Sequence, residues 1–91
     1  MAATVRIPTT MRPLTGGEKQ VAVEPGTLGE VIGALDSAHP GMRDRLLDED
    51  GSLRKFVNVF VDDDDVRYLD GLDTKVGDNI TVSIIPAVAG G

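Results

Sequence analysis

Six residues at the end of the chain, Pro86-Ala87-Val88-Ala89-Gly90-Gly91, carry the only pattern in this sequence with a clear chemical use. They hold no charge and no large side chain. Two terminal glycines lack a Cβ, so they fit a narrow channel and let a second backbone come close. A terminal carboxylate with a pKa of about 3.5 is ionised at neutral pH. As a nucleophile it can attack the α-phosphate of ATP. The acyl-adenylate formed has a good leaving group and accepts sulfur. The reacting group is main chain, so Gly91 needs no catalytic side chain beside it. Pro86 cannot donate in a ladder and marks the end of a strand. Six extended residues reach at most about 20 Å, enough to enter another protein's active site while the domain stays outside.

Other reactive constellations are weak. His39 is the single histidine and precedes Pro40-Gly41, which reads as a helix end. The acidic runs Asp62–Asp65 and Asp48–Asp50 lack the spaced ligands and closing glutamate of an EF-hand loop and read as solvated turns. Gly16-Gly17 has neither the lysine nor the spacing of a phosphate-binding loop. There is no cysteine, which removes disulfides, thiolate metal sites and a cysteine nucleophile. The expectation is a chain that is not an enzyme and binds no metal or cofactor itself.

Length and charge narrow the class further. The 91 residues fit one small domain, which has little room to surround a deep pocket. A net charge of −6 disfavours nucleic-acid and anionic-membrane partners. It favours a protein partner with a basic docking surface, if it does more than keep the chain soluble. No secretory n-region or membrane-length apolar run is present. The expected location is the cytoplasm.

The elements that must hold the tail read as follows. Thr4 to Pro8 and Gln20 to Val23 make an antiparallel hairpin around the turn residues Thr15 to Glu18. Thr27 and Glu30 form a capping box, and Leu28, Val31, Ile32 and Leu35 follow at helical spacing. Gly29 and Gly33 would weaken that helix and let it sit close to a sheet. Met42 to Leu47 fits one more helical turn. Phe56 to Val61 is the strongest strand, Val66 to Tyr68 a short one, Lys75 to Asn79 a turn, and Ile80 to Ile85 the last strand. Ile80, Val82 and Ile84 share a face, so Ile85 points away from the helix. Phe60 likewise falls opposite Val57, Val59 and Val61 and could join Ile85 in an exposed patch, unless it belongs to the core. The predicted fold is α+β: a mixed sheet covered on one face by a single main helix, over residues 1–85, with a flexible tail over 86–91.

The tail, together with Arg12–Gly17, Thr27-Leu28-Gly29, Val31-Ile32, Phe56-Val57-Asn58 and Asp65-Val66-Arg67, resembles the ubiquitin-like sulfur carriers of MoaD/ThiS type. That family includes the molybdopterin synthase small subunit and the thiamine-pathway carrier. The chain is most similar to its actinobacterial cysteine-biosynthesis branch. The resemblance implies a β-grasp fold and a cycle. An E1-like adenylating enzyme spends ATP on Gly91, sulfur is installed as a thiocarboxylate, and an acceptor synthase of the cysteine-synthase or thiosugar-synthase type takes the sulfur. A molybdopterin product is a further alternative, and a metalloprotease trims the product in the cysteine branch. PLP, ATP and metal belong to those partners. Pro86, Ala87, Val88 and Ala89 would thread the partner's channel, and Ile85 corresponds to an apolar docking position before the tail proline. The competing reading is a ubiquitin-like modifier joined through Gly91 to target lysines. A third is a β-grasp interaction domain with an idle tail.

Overall fold

The computed structural model describes residues 2–86. The chain alternates apolar residues from its first strand, β1 (Ala3–Arg6), where Ala3 and Val5 are buried and Arg6 is exposed. β1 pairs antiparallel with β2 (Gln20–Val23). A two-residue strand, β3 (Gly26–Thr27), leads into the main helix α1 (Leu28–Ala38). A short helix, α2 (Met42–Leu46), follows. The chain then enters β4 (Val57–Val61), turns into β5 (Asp64–Asp65), pairs β6 (Lys75–Val76) with β3, and finishes in β7 (Thr81–Pro86). The main sheet has the order β2-β1-β7-β4-β5. β1 and β7 are parallel and every other neighbouring pair in it is antiparallel. The α1 crossover is what permits a parallel pair of strands so far apart in sequence.

One face of the sheet is covered. Leu28, Val31, Ile32 and Leu35 from α1 meet Val5, Val59, Val82 and Ile84 from the strands, with Met42 and Leu46 closing one end. The helix starts where the capping box predicts. The Thr27 hydroxyl accepts from the Glu30 amide at 3.2 Å, and Glu30 Oε1 accepts from the Thr27 amide at 2.9 Å.

Several local expectations differ from the structure. Thr9–Thr15 is a 3-10 helix inside the first hairpin. It is tied by Gly17 N donating to the Arg12 carbonyl and by the buried Thr15 hydroxyl, set between the Arg12 and Glu18 carbonyls. Gly16 and Gly17 have φ of 64° and 88°, which glycine adopts without strain. Val66–Tyr68 is a 3-10 turn, not a strand. The fifth strand comes two residues earlier because Asp62, at φ 56°, turns the chain so that Asp64 and Asp65 pair with Val61 and Phe60. The Asp65 carboxylate then caps the Arg67 amide at 2.9 Å. Lys75-Val76, expected as a turn, is a strand because β3 offers it a partner. Pro86 is the last residue of β7, paired with Val57, rather than the first residue beyond it.

The helix glycines do not serve close approach to the sheet. A Cβ at Gly33 would meet nothing within 4 Å, and one at Gly29 would make ordinary contacts with Leu72. Gly33→Ala should therefore raise stability by about 0.5–1 kcal/mol in urea unfolding, since only helix propensity changes. A neutral or destabilising result would show that α1 needs Gly33 for another reason. The Thr27 amide and then its hydroxyl hold the Glu30 carboxyl below its ordinary value. A lowered folded pKa stabilises above the unfolded pKa and is lost as pH falls through the folded one. The stability advantage of wild type over Glu30→Gln should accordingly be present at neutral pH and vanish on acidification.

Candidate functional site

The site is the edge of the sheet from which the C-terminal residues depart. β7 runs between β1 and β4, so its last residues leave from the middle of the sheet rather than from an outer strand. Val57 pairs with Pro86 and Asn58 with Ile85, which anchors the chain up to its final described residue. Ala87, Val88, Ala89, Gly90 and Gly91, the channel and acyl-transfer positions expected from sequence, lie outside the described residues.

Ile85 points to the open face of the sheet, as its phase predicts, and is 49% exposed. Phe60 shares that face. It pairs with Ser83, which puts it diagonal to Ile85, and it is half-buried rather than fully exposed. A more exposed aromatic lies closer to the exit. Phe56 is 66% exposed and lines an open cleft with Pro86, Met11, Thr10, Arg45 and Arg54. Sequence reasoning placed Phe56 in the strand without giving it a docking role. The strand begins one residue later, at Val57, and Phe56 sits in the turn before it, where strand alternation does not fix its side.

One side chain makes four contacts with the segment that presents Phe56, which is also tied to α2 by Arg54 N donating to the Leu46 carbonyl and Arg54 Nε to the Asp44 carbonyl. Arg67 Nη1 donates to Asn58 Oδ1 at 2.6 Å. Its Nη2 faces the carbonyls of Arg54 at 2.7 Å and Val57 at 2.8 Å, with Lys55 at 3.4 Å. The motifs Phe56-Val57-Asn58 and Asp65-Val66-Arg67, separate in sequence, are thus one structural unit. A planar guanidinium can serve several acceptors at once in a fixed fork, which an ammonium cannot.

On the other side of β7, an open cleft of about 330 Å³ is lined by Arg6, Pro8, Arg12, Lys19, Ser83 and Ile85, among others. Among the described residues, no group of three or more His, Cys, Asp or Glu side chains is placed to hold a metal ion. No helix among them is long and apolar enough to cross a membrane. Among the described residues, the geometry provides an anchored exit with apolar and cationic surroundings.

A mixed sheet crossed by one main helix, ending in a central strand, is the ubiquitin-like β-grasp arrangement. The sequence matches the ThiS family over residues 5–91, and the chain belongs to that family. It is 48% identical to the sulfur carrier protein CysO of Mycobacterium tuberculosis over 93 aligned positions, covering all of both chains. A chain in the crystal structure of the Amycolatopsis orientalis BexX/CysO complex is 48% identical, with a TM-score of 0.93. That match covers 99% of this chain and 100% of the other. Small archaeal modifier protein 3 of Haloferax volcanii is 40% identical over 65 residues, 71% of this chain and 70% of that protein.

Arg67→Lys should loosen the 54–57 segment while leaving the core intact. Amide exchange at Phe56 and Val57 should speed up in the variant, with a stability loss of at most about 1 kcal/mol because these bonds are solvent-exposed. Unchanged exchange would show that the β4–β7 pairing alone holds the segment.

Proposed function

We propose that this chain is a sulfur carrier that works as a protein co-substrate and not as an enzyme. The Gly91 carboxylate attacks the α-phosphate of ATP on an E1-like enzyme and pyrophosphate leaves. A sulfide-level nucleophile then displaces AMP, giving a thiocarboxylate. Its sulfur next forms a C–S bond on an acceptor held by a second protein, and the group that activates the acceptor carbon leaves as that bond forms. The acceptor is most simply the activated serine of a cysteine synthase of the PLP type, with a metalloprotease releasing the product. A thiosugar or molybdopterin product would use the same donor group. ATP is consumed by the activating partner, and this chain binds no cofactor of its own. The place of action is the cytoplasm.

One observation carries this reading: the full-length match to CysO, in which the ThiS family match runs to Gly91 itself. The anchored central strand supports it, because a tail that enters a partner needs a rigid base. A CysO captured together with BexX supports the idea of a carrier seated on a second protein. Ile85, and behind it Phe60, are the docking residues in this reading. Pro86 begins the segment that enters the partner, followed by Ala87, Val88, Ala89, Gly90 and Gly91.

The likeness to small archaeal modifier protein 3 favours a second reading, in which the same activated Gly91 is passed to lysine amines of target proteins. Intact-mass analysis separates the two. Sulfur replacing oxygen on the free chain supports the carrier. Heavier proteins joined through Gly91 support the modifier.

With purified activating enzyme, ATP and sulfide, the full chain should gain the mass difference between sulfur and oxygen. Deleting Gly91 should abolish that gain and leave the unfolding midpoint unchanged, since no core residue is touched. Ile85→Asp should weaken binding to the activating enzyme tenfold or more, about 1.4 kcal/mol, by placing a charge in an apolar contact. Charging of the truncated chain at the wild-type rate would contradict the proposal.

A further inference from the structure

The charge of this molecule is sorted along the strand axis. β1 and β7 both end at the tail edge, and β2 and β4, which run antiparallel to them, begin there. The residues at those points are cationic. Arg6 ends β1, Lys19 precedes β2, and Lys55 stands two residues before β4. The two clefts flanking the end of β7 are lined by Arg6, Arg12 and Lys19 on one side and by Arg45 and Arg54 on the other. Their lining contains one carboxylate, Asp44, and Glu18 lies beside Lys19 in the chain. A cleft beside Phe56 adds Lys55 and Asp48, and six cations against three carboxylates leave the edge positive in a chain whose net charge is −6. Among the described residues no carboxylate accepts from Arg6, Arg12 or Lys19, and Arg12 Nε donates to the Ile7 carbonyl at 3.2 Å.

The opposite edge carries the reverse sign. Glu24 follows β2, Asp62 and Asp63 follow β4, and Asp78 precedes β7, all of them exposed. The molecule is therefore an electrical dipole with its positive end at the exit of the tail.

We propose that this cationic rim, with Ile85 and Phe56 at its apolar centre, docks on a carboxylate-rich collar around the tail entrance of the activating enzyme. The inference rests on the sulfur-carrier reading and adds the chemistry of the partner's surface. Charge complementarity carries it. The rim encircles the one point where the chain must approach a partner, and it opposes the sign of the whole protein. Opposite potentials accelerate encounter and fix orientation, and a dipole turns its positive end towards an acidic collar before contact. Arriving tail-first is what a carrier requires. An apolar centre within a polar rim is also the usual anatomy of a transient interface.

The test is ATP–pyrophosphate exchange by the organism's purified adenylating enzyme, with the carrier as varied substrate. Arg6→Glu combined with Lys19→Glu alters two exposed residues, so the unfolding midpoint should stay at the wild-type value. At low salt the KM for the carrier should rise roughly tenfold or more with kcat unchanged, and the gap should close as salt screens the interaction. Glu24→Lys with Asp63→Lys, at the far edge, should leave KM unchanged or lower it. An unchanged KM in the rim variant at low salt would overturn the rim. So would an equal rise in the far-edge variant. No exchange with wild type would overturn the carrier reading, and the rim with it, which keeps the two failures distinct.

Discussion

The parallel pairing of β1 with β7 is the constraint on which the rest of this structure depends. Thr4, Val5 and Arg6 lie beside Thr81, Val82 and Ser83, with the whole of α1 spent on the crossover that makes this geometry available. Val5 and Val82, adjacent in that register, are both fully buried under the helix. Without the pairing, β7 would be an outer strand, held along its whole length by the β4 ladder alone. With it, Thr81, Val82 and Ser83 are held on both sides, and Ile84, Ile85 and Pro86 continue on the β4 ladder, so the described chain ends at a fixed point. The reaction proposed for Gly91 falls beyond the described residues. In that proposal the part played by the fold is to position the end of β7.

The same topology decides where the charge goes. Residues that follow β1 or β7 and residues that precede β2 or β4 meet at one edge, although they are scattered along the sequence. Net charge pointed to a basic partner surface. The strand directions gather Arg6, Arg12, Lys19, Arg45 and Arg54 around the tail exit and put Glu24, Asp62 and Asp78 at the other end. A sum over the chain contains no positions, so it could not show this.

What was legible in the sequence follows from how local each signal is. The α1 start could be read because Thr27 and Glu30 recognise each other across three residues. The phase of β4 and β7 could be read because period-two burial is written residue by residue, and Ile85 emerged on the open face accordingly. β5, β6 and the 3-10 helices could not. A two-residue strand such as Lys75-Val76 has no periodicity, and its identity comes from the partner Gly26-Thr27 supplied by the fold. The Arg67 clamp was hidden for a related reason, since all its acceptors but Asn58 Oδ1 are backbone carbonyls, which leave no mark in sequence. The candidate site divides the same way. The chemistry expected of the Gly-Gly end is main-chain chemistry and lies outside the described residues, while the platform of Phe56, Arg67 and the cationic rim needed coordinates.

The central claim is that the carboxyl group of Gly91 is the reactive centre of this protein. Tandem mass spectrometry of the chain isolated from its own cells tests it most directly. The account predicts that part of the population carries one sulfur in place of one oxygen and that fragmentation assigns it to Gly91. Sulfur assigned to any other residue, or a functional mature chain whose Gly91 carboxyl is blocked by further residues, would contradict it.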